Sequence, residues 1–193
     1  MPGFVCEITP RCNLRCAFCY NTWREPAADQ PSPACAETLL DILARAVPDS
    51  GATWITFAGG EPTLHPELPA MCAGVRHLFP DIGLGVATNG VYLPDGLLDA
   101  LVAAGVRHVE MPLFAASRQR YAALTGIDAL NDVHASMLRV RAHGLPLTVA
   151  TVLLSDGLSE FDTVIETAHA FGAARVGLYA FTPTGHPRTA RLQ

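Results

Sequence analysis

The sequence predicts an α/β domain built on parallel strands, and two observations carry that prediction. Short β-rich runs alternate with amphipathic runs of helical period, and the alternation recurs at intervals of roughly 25 to 40 residues. Glycine, proline and serine stand at the joints between them. Parallel strands joined by right-handed helical crossovers pack such an order economically, as either a doubly wound sheet or a barrel of the TIM kind.

The elements follow in order. The first strand spans Phe4 to Ile8 and leads into a long connection, Tyr20 to Ser32. Ser32 and Pro33 read as N-cap and first residue of a helix. Trp54 to Phe57 is the second strand, and a helix follows with Leu68, Met71, Cys72, Val75, Leu78 and Phe79 on its core side. Gly83 to Thr88 and His108 to Leu113 are the third and fourth strands. A second long connection, Phe114 to Ala129, comes next, and Gly144 stops the helix before the fifth strand, Leu147 to Leu153. Ser159 reads as the N-cap of a helix carrying Phe161, Val164, Ile165, Ala168 and Phe171 inward, ended by Gly172. Arg175 to Ala180 is the sixth strand, with no sixth helix visible after it. Both long connections follow a strand, on the face where α/β barrels place their chemistry.

At 193 residues the chain is expected to form one domain over 1–193, burying roughly 70% of its unfolded surface without help from disulfides. It has neither a transmembrane-length apolar run nor a secretory signal, so the expectation is a cytoplasmic chain with reduced thiols. The formal charge of -5 is dispersed, which favours neither nucleic acid nor an anionic membrane as partner. All 13 basic residues are arginine, so a lysine Schiff base and a Walker-type phosphate lysine are excluded. Mean hydropathy of +0.26 is high for a soluble domain and fits apolar surface covered by a partner or a further segment.

Three of the six cysteines, Cys12, Cys16 and Cys19, are spaced C-x3-C-x2-C. Zinc, disulfide pairing and an iron-sulfur cluster are the chemistries open to them. Structural zinc needs four protein ligands, commonly two close pairs, and no second pair exists here. Cys6 in a strand, Cys35 opening a helix and Cys72 on an apolar stripe read as ordinary buried or semi-buried cysteines. A [4Fe-4S] cluster held by three thiolates keeps one iron open to another chelator, which gives the triplet a purpose.

The stretch CNLRCAFCY resembles the signature of the radical S-adenosylmethionine (SAM) superfamily. Further stretches resemble it in the same order: Gly59, Gly60, Glu61 and Pro62 match its GGEP motif, and Thr88, Asn89 and Gly90 its TNG element. TPTG, Thr182 to Gly185, is also similar to a stretch common in that family. The resemblance implies a (β/α)6 TIM-like barrel, here a partial one, since no last helix is visible after the sixth strand. It implies that Cys12, Cys16 and Cys19 hold the cluster and that the open iron is chelated by the amino and carboxylate groups of SAM. Glu61 then supplies a carboxylate for the SAM ammonium, and side-chain-free Gly59 and Gly60 let the backbone approach. Phe18 and Tyr20 are an aromatic wall and an adenine contact, or else core aromatics shielding the loop. Thr88 and Asn89 touch the methionine carboxylate or ribose, or else form only a turn. Arg11 and Arg15 flank the ligands and either tune the cluster or are solvated.

Two departures matter. Many relatives end the fourth strand in Ser-Leu-Asp-Gly, whereas this chain reads MPLFAAS, with Pro112 and Phe114 in place of polar residues. Arg118, Arg120 and Tyr121 follow on the same face as candidates to bind SAM or a substrate carboxylate. Peptide-modifying relatives also often carry a cysteine-rich domain for auxiliary clusters, and none is present in these residues. The expectation is a minimal core, a fragment, or a barrel completed by a separate protein.

The function expected is reductive cleavage of SAM to a 5'-deoxyadenosyl radical that abstracts hydrogen from a peptide or peptide-derived precursor, with an electron donor such as flavodoxin or ferredoxin. Small-molecule or cofactor biosynthesis, and a non-catalytic iron-sulfur scaffold, are the alternatives. A phosphate loop built from AGGEP leaves the cysteines unexplained.

Overall fold

A computed structural model describes residues 2–21, 33–154 and 159–181. Six strands, β1 (Gly3–Glu7), β2 (Trp54–Ala58), β3 (Gly83–Ala87), β4 (His108–Pro112), β5 (Leu147–Leu153) and β6 (Arg175–Ala180), form one parallel sheet in the order 1-2-3-4-5-6. A doubly wound sheet reverses direction at a switch point; a monotonic order does not, so the sheet curls one way as a partial barrel. Among the described residues β1 and β6 stay unpaired with each other. The edges show it, with Val5 on β1 and Leu178 and Tyr179 on β6 all exposed.

Strand alternation sets the two faces. Ile55, Phe57, Leu84, Val86, Val109, Met111, Leu147 and Val149 are buried in the main core with the helices. The residues between them face the lumen. At its floor the Trp54 ring lies over Gly83, where an added Cβ would come within 1.8 Å of it. Trp54 also meets the His108 ring edge-on at 5.9 Å, and His108 Nε2 pairs with Thr148 Oγ1 at 2.8 Å. The barrel is therefore filled at the bottom and open above.

The helices are α1 (Ala36–Ala46), α2 (Leu68–Leu78), α3 (Asp95–Ala103), α4 (Arg118–Thr125), α5 (Leu130–Ala142) and α6 (Phe161–Ala170). Gly144 and Gly172 adopt positive φ (68° and 86°) just past α5 and α6, as their reading as stops requires. Helix α1 starts later than expected, with Cys35 as N-cap, because Ala34 N–H is bonded to Ile8 O and Ala34 O to His65 Nε2. Ser32 lies outside the described residues. Glu160, not Ser159, is the N-cap of α6. The Phe114 to Ala129 connection is not a plain loop. It contains α4, whose N-cap Ser117 accepts from Arg120 N and whose C-cap Gly126 has φ 82°. Leu78, at the end of α2, is 41% exposed rather than core, and Cys35 is exposed rather than semi-buried.

Cys72 is fully buried on α2, and burial pushes its thiol up to about 12, so it is an inert packing group. Cys72→Ala is expected to cost on the order of 1 kcal/mol by denaturant unfolding and to leave iron content unchanged. Iron lost at intact stability would place it at the metal.

Candidate active site

The strand ends converge on a cavity of about 440 Å³, within the range of ligand pockets. Cys12, Cys16 and Cys19 line one side of it, together with Phe18 and Tyr20. None of the three is in a disulfide; Cys16 is buried and the other two are half-buried. The loop carrying them is held from outside by backbone bonds to α4, Arg15 N to Thr125 O and Ala17 N to Leu124 O, each 2.8 Å. Among the described residues no three Cys, His, Asp or Glu side chains gather closely enough to hold one metal ion. Three cysteines on one short loop beside a cavity are the donor set of a cluster with one open iron and lack the fourth ligand of a structural zinc site.

Gly59 and Gly60 line the same cavity, where the β2 end crosses the cysteine loop. Gly60 N donates to Thr9 O at 2.6 Å and Glu61 N to Arg11 O at 2.7 Å, so two backbones touch. A Cβ on Gly60 would lie 2.2 Å from Arg11 O, and Gly59 has φ 138°. Gly60→Ala is accordingly expected to push the loop away, costing more than about 2 kcal/mol and most of the reconstituted iron. Wild-type iron content in that variant, measured colorimetrically, would show that the contact is dispensable.

Glu61 and Pro62 stand behind this lining, both buried. Glu61 Oε1 accepts from Thr63 N (3.1 Å), Thr63 Oγ1 (2.6 Å) and Thr88 Oγ1 (2.6 Å), and Oε2 accepts from Asn89 N (2.6 Å). Burial raises its pKa, and those four donors pull against that rise. The carboxylate ties the β2 turn to the β3 turn. Thr88 and Asn89 do form a turn, Gly90 having φ 74°, and they also line the cavity. Asn89 Nδ2 reaches Asn13 Oδ1 at 2.7 Å and Cys12 Sγ at 3.6 Å, and Leu14 N lies 3.4 Å from the same sulfur. Two N–H groups thus approach the Cys12 sulfur, which itself lies 3.9 Å from Asn13 Oδ1.

Phe114, the residue that departs from the polar pattern, stacks edge-on against Phe18 at 4.5 Å. The two rings wall the mouth. Tyr20 is exposed, its hydroxyl donating to Glu7 Oε1 at 2.5 Å. Arg118 is paired with Asp128, and Tyr121 is fully buried, its hydroxyl without a hydrogen-bond partner among the described residues and within electrostatic reach of Cys16 and Cys12. Arg11 and Arg15 are exposed. TPTG lies outside the described residues. Sequence reasoning missed Asn13, Thr63, Glu110 and Tyr179, of which the last two face the lumen from β4 and β6.

Fold, cysteine loop and flanking turns together define a partial barrel with a cysteine-lined cavity at its open end. Residues 6–168 match the Radical SAM superfamily, and the chain belongs to it. It is 33% identical over 180 residues to a PqqA peptide cyclase of Streptomyces rochei, covering 91% of this chain and 47% of that one. It is 31% identical over 161 residues to a GTP 3',8-cyclase of Rhodococcus opacus, covering 83% and 46%. The chain thus spans about half the length of these relatives. Streptococcus suis SuiB bound to S-adenosylmethionine shares the fold at TM-score 0.79 and 15% identity, over 94% of this chain and 41% of that one. Radical SAM enzymes work with a [4Fe-4S] cluster and SAM, and these are the cofactors of the class to which this chain belongs. No helix among the described residues is long and apolar enough to cross a membrane.

Proposed function

We propose that Cys12, Cys16 and Cys19 hold a [4Fe-4S] cluster whose open iron takes SAM, and that the substrate is a peptide or peptide-derived precursor. When bound and reduced, the cluster supplies the electron that cleaves SAM and yields the 5'-deoxyadenosyl radical. The chain's own residues position and enclose. Gly59 and Gly60 admit the SAM ammonium close to backbone, Thr88 and Asn89 present polar groups beside the cysteine loop, and Phe18 with Phe114 keeps water from the mouth. Glu61 acts through Thr88 and Asn89. Tyr20, fixed by Glu7, is offered to the adenine. A small redox protein of the flavodoxin or ferredoxin kind would deliver the electron.

The observation that carries the class is that the cysteines, both glycines, Thr88 and Asn89 line one cavity. The substrate choice rests on charge. The described lining contains no arginine or histidine, and its one carboxylate is Glu110. A nucleoside triphosphate, the kind of substrate named for the GTP cyclase relative, would find no cation there, whereas a peptide segment needs none. Cofactor biosynthesis on a small molecule is the second reading, favoured by that same relative.

The test is anaerobic reconstitution with iron and sulfide, then dithionite reduction with and without SAM. A reduced-cluster paramagnetic signal perturbed by SAM, with 5'-deoxyadenosine detected by mass spectrometry, is the expected result. A cluster that ignores SAM would overturn the enzyme reading in favour of a scaffold.

A further inference from the structure

We infer that Glu110 is a specificity residue, anchoring a cationic group of the substrate, an amine or guanidinium, inside the barrel lumen. The inference rests on the radical SAM reading above and adds the charge of what enters. Glu110 sits on the lumen face of β4, two residues above His108, whose ring belongs to the filled floor. Strand geometry puts it roughly 7 Å above that floor. It lines the same cavity as the cysteines. Its neighbours there are Ala87, Pro112, Ala150 and Val152, which offer no hydrogen bond from their side chains. Thr148, its register partner on β5, has its hydroxyl taken by His108.

Among the described residues no hydrogen bond or ion pair reaches the Glu110 carboxylate, and half-burial alone raises its pKa. A carboxylate held in an apolar lumen without a partner weakens the fold of the empty barrel. A ligand cation removes that cost on binding. Two strands along the sheet, Tyr179 on β6 lines the cavity too, and its phenol is raised by burial and then by the charge of Glu110, so the two lie within electrostatic reach. A carboxylate beside an aromatic ring is a site for ammonium or guanidinium, through an ion pair and the face of the ring together. No arginine or histidine is among the described lining residues; Arg175, in the same register row on β6, is exposed and its charge is felt at His108 below.

The test titrates reconstituted, SAM-loaded protein anaerobically by calorimetry with n-butylguanidinium and with its neutral isostere n-butylurea. Wild type is expected to prefer the cation by about tenfold or more, as a charged hydrogen bond implies. Glu110→Gln, and independently Glu110→Met, should abolish the preference. Equal affinity of wild type for both probes, or a preference that survives both variants, overturns the assignment. So does a tenfold loss of SAM affinity in Glu110→Gln, which would make the carboxylate a partner of SAM's own positive charge. Release of 5'-deoxyadenosine by wild type is read on the same preparation. Cation preference without that release sinks the enzyme reading alone, and release without preference sinks the Glu110 assignment alone.

Discussion

Alanine at Cys12, Cys16 or Cys19 is expected to abolish the reconstituted cluster and, with it, SAM cleavage, while the chain stays folded. Each thiolate is assigned to one iron, so losing any one leaves two irons without a protein ligand. Outer groups around a metal commonly contribute 10 to 100-fold to affinity or activity, so loss of a ligand should exceed about 100-fold in 5'-deoxyadenosine release. Folding should survive because the loop is docked by backbone, through Arg15 N and Ala17 N to the end of α4, and by the buried Leu14 side chain. Cys16 is buried and should cost on the order of 1 kcal/mol in packing; Cys12 and Cys19 should cost less. Iron content, the visible absorbance of the cluster and thermal unfolding, measured on each variant, check these statements together. A variant that cleaves SAM at the wild-type rate would remove that cysteine from the ligand set. The contrast with Cys72→Ala, which should lose stability and keep iron, separates ligand from core thiol.

How much of this was legible follows from the physics of each part. Strands buried on one face and lumen-lining on the other carry a strong local signal, so all six were placed to within a residue of their observed ends. Their order in the sheet was not local. Sequence left a doubly wound sheet and a barrel open, and only the unbroken pairing of β1 through β6 decided between them. Helix α4 was missed because RQRYAALT has no apolar stripe, burying only Tyr121, Leu124 and Thr125; its cap at Ser117 and left-handed Gly126 were the available signs. The start of α1 was misread because Ala34 is held by Ile8, a contact 26 residues upstream that no cap preference reports. At the site, spacing identified the cysteines and the two turns, but not which atoms meet. That Glu61 faces inward to Thr88 and Asn89, and that Phe114 packs on Phe18, are tertiary facts. Glu110 was legible in principle: with His108 to Leu113 assigned as a strand, period-2 alternation puts it on the face opposite Val109 and Met111.

Glu61→Ala should combine a large loss of stability with a large loss of SAM affinity, and the network explains why both go together. Four donors converge on this one carboxylate, two of them backbone N–H groups, of Thr63 and Asn89, that cannot turn elsewhere. Leaving two buried N–H groups unsatisfied costs about 2 to 4 kcal/mol, whereas the two hydroxyls can rotate to new acceptors. For a domain of this length that is a fall in Tm of roughly 5 to 15 °C. Asn89 would lose the 2.6 Å anchor that aims its side chain at Asn13 and Cys12, so the polar wall beside the cysteine loop loosens. SAM affinity by calorimetry should drop by more than about tenfold, with iron content largely retained because no thiol ligand has moved. Glu61→Gln keeps the volume but sets an amide N–H against a backbone N–H donor, so it too should lose stability, by less than alanine. Unchanged SAM affinity in Glu61→Ala would remove the residue from the site. Unchanged Tm would mean that the donors find other partners, with the β2 turn still held to the cysteine loop by the Gly60 and Glu61 backbone and the β3 turn by Asn89 Nδ2.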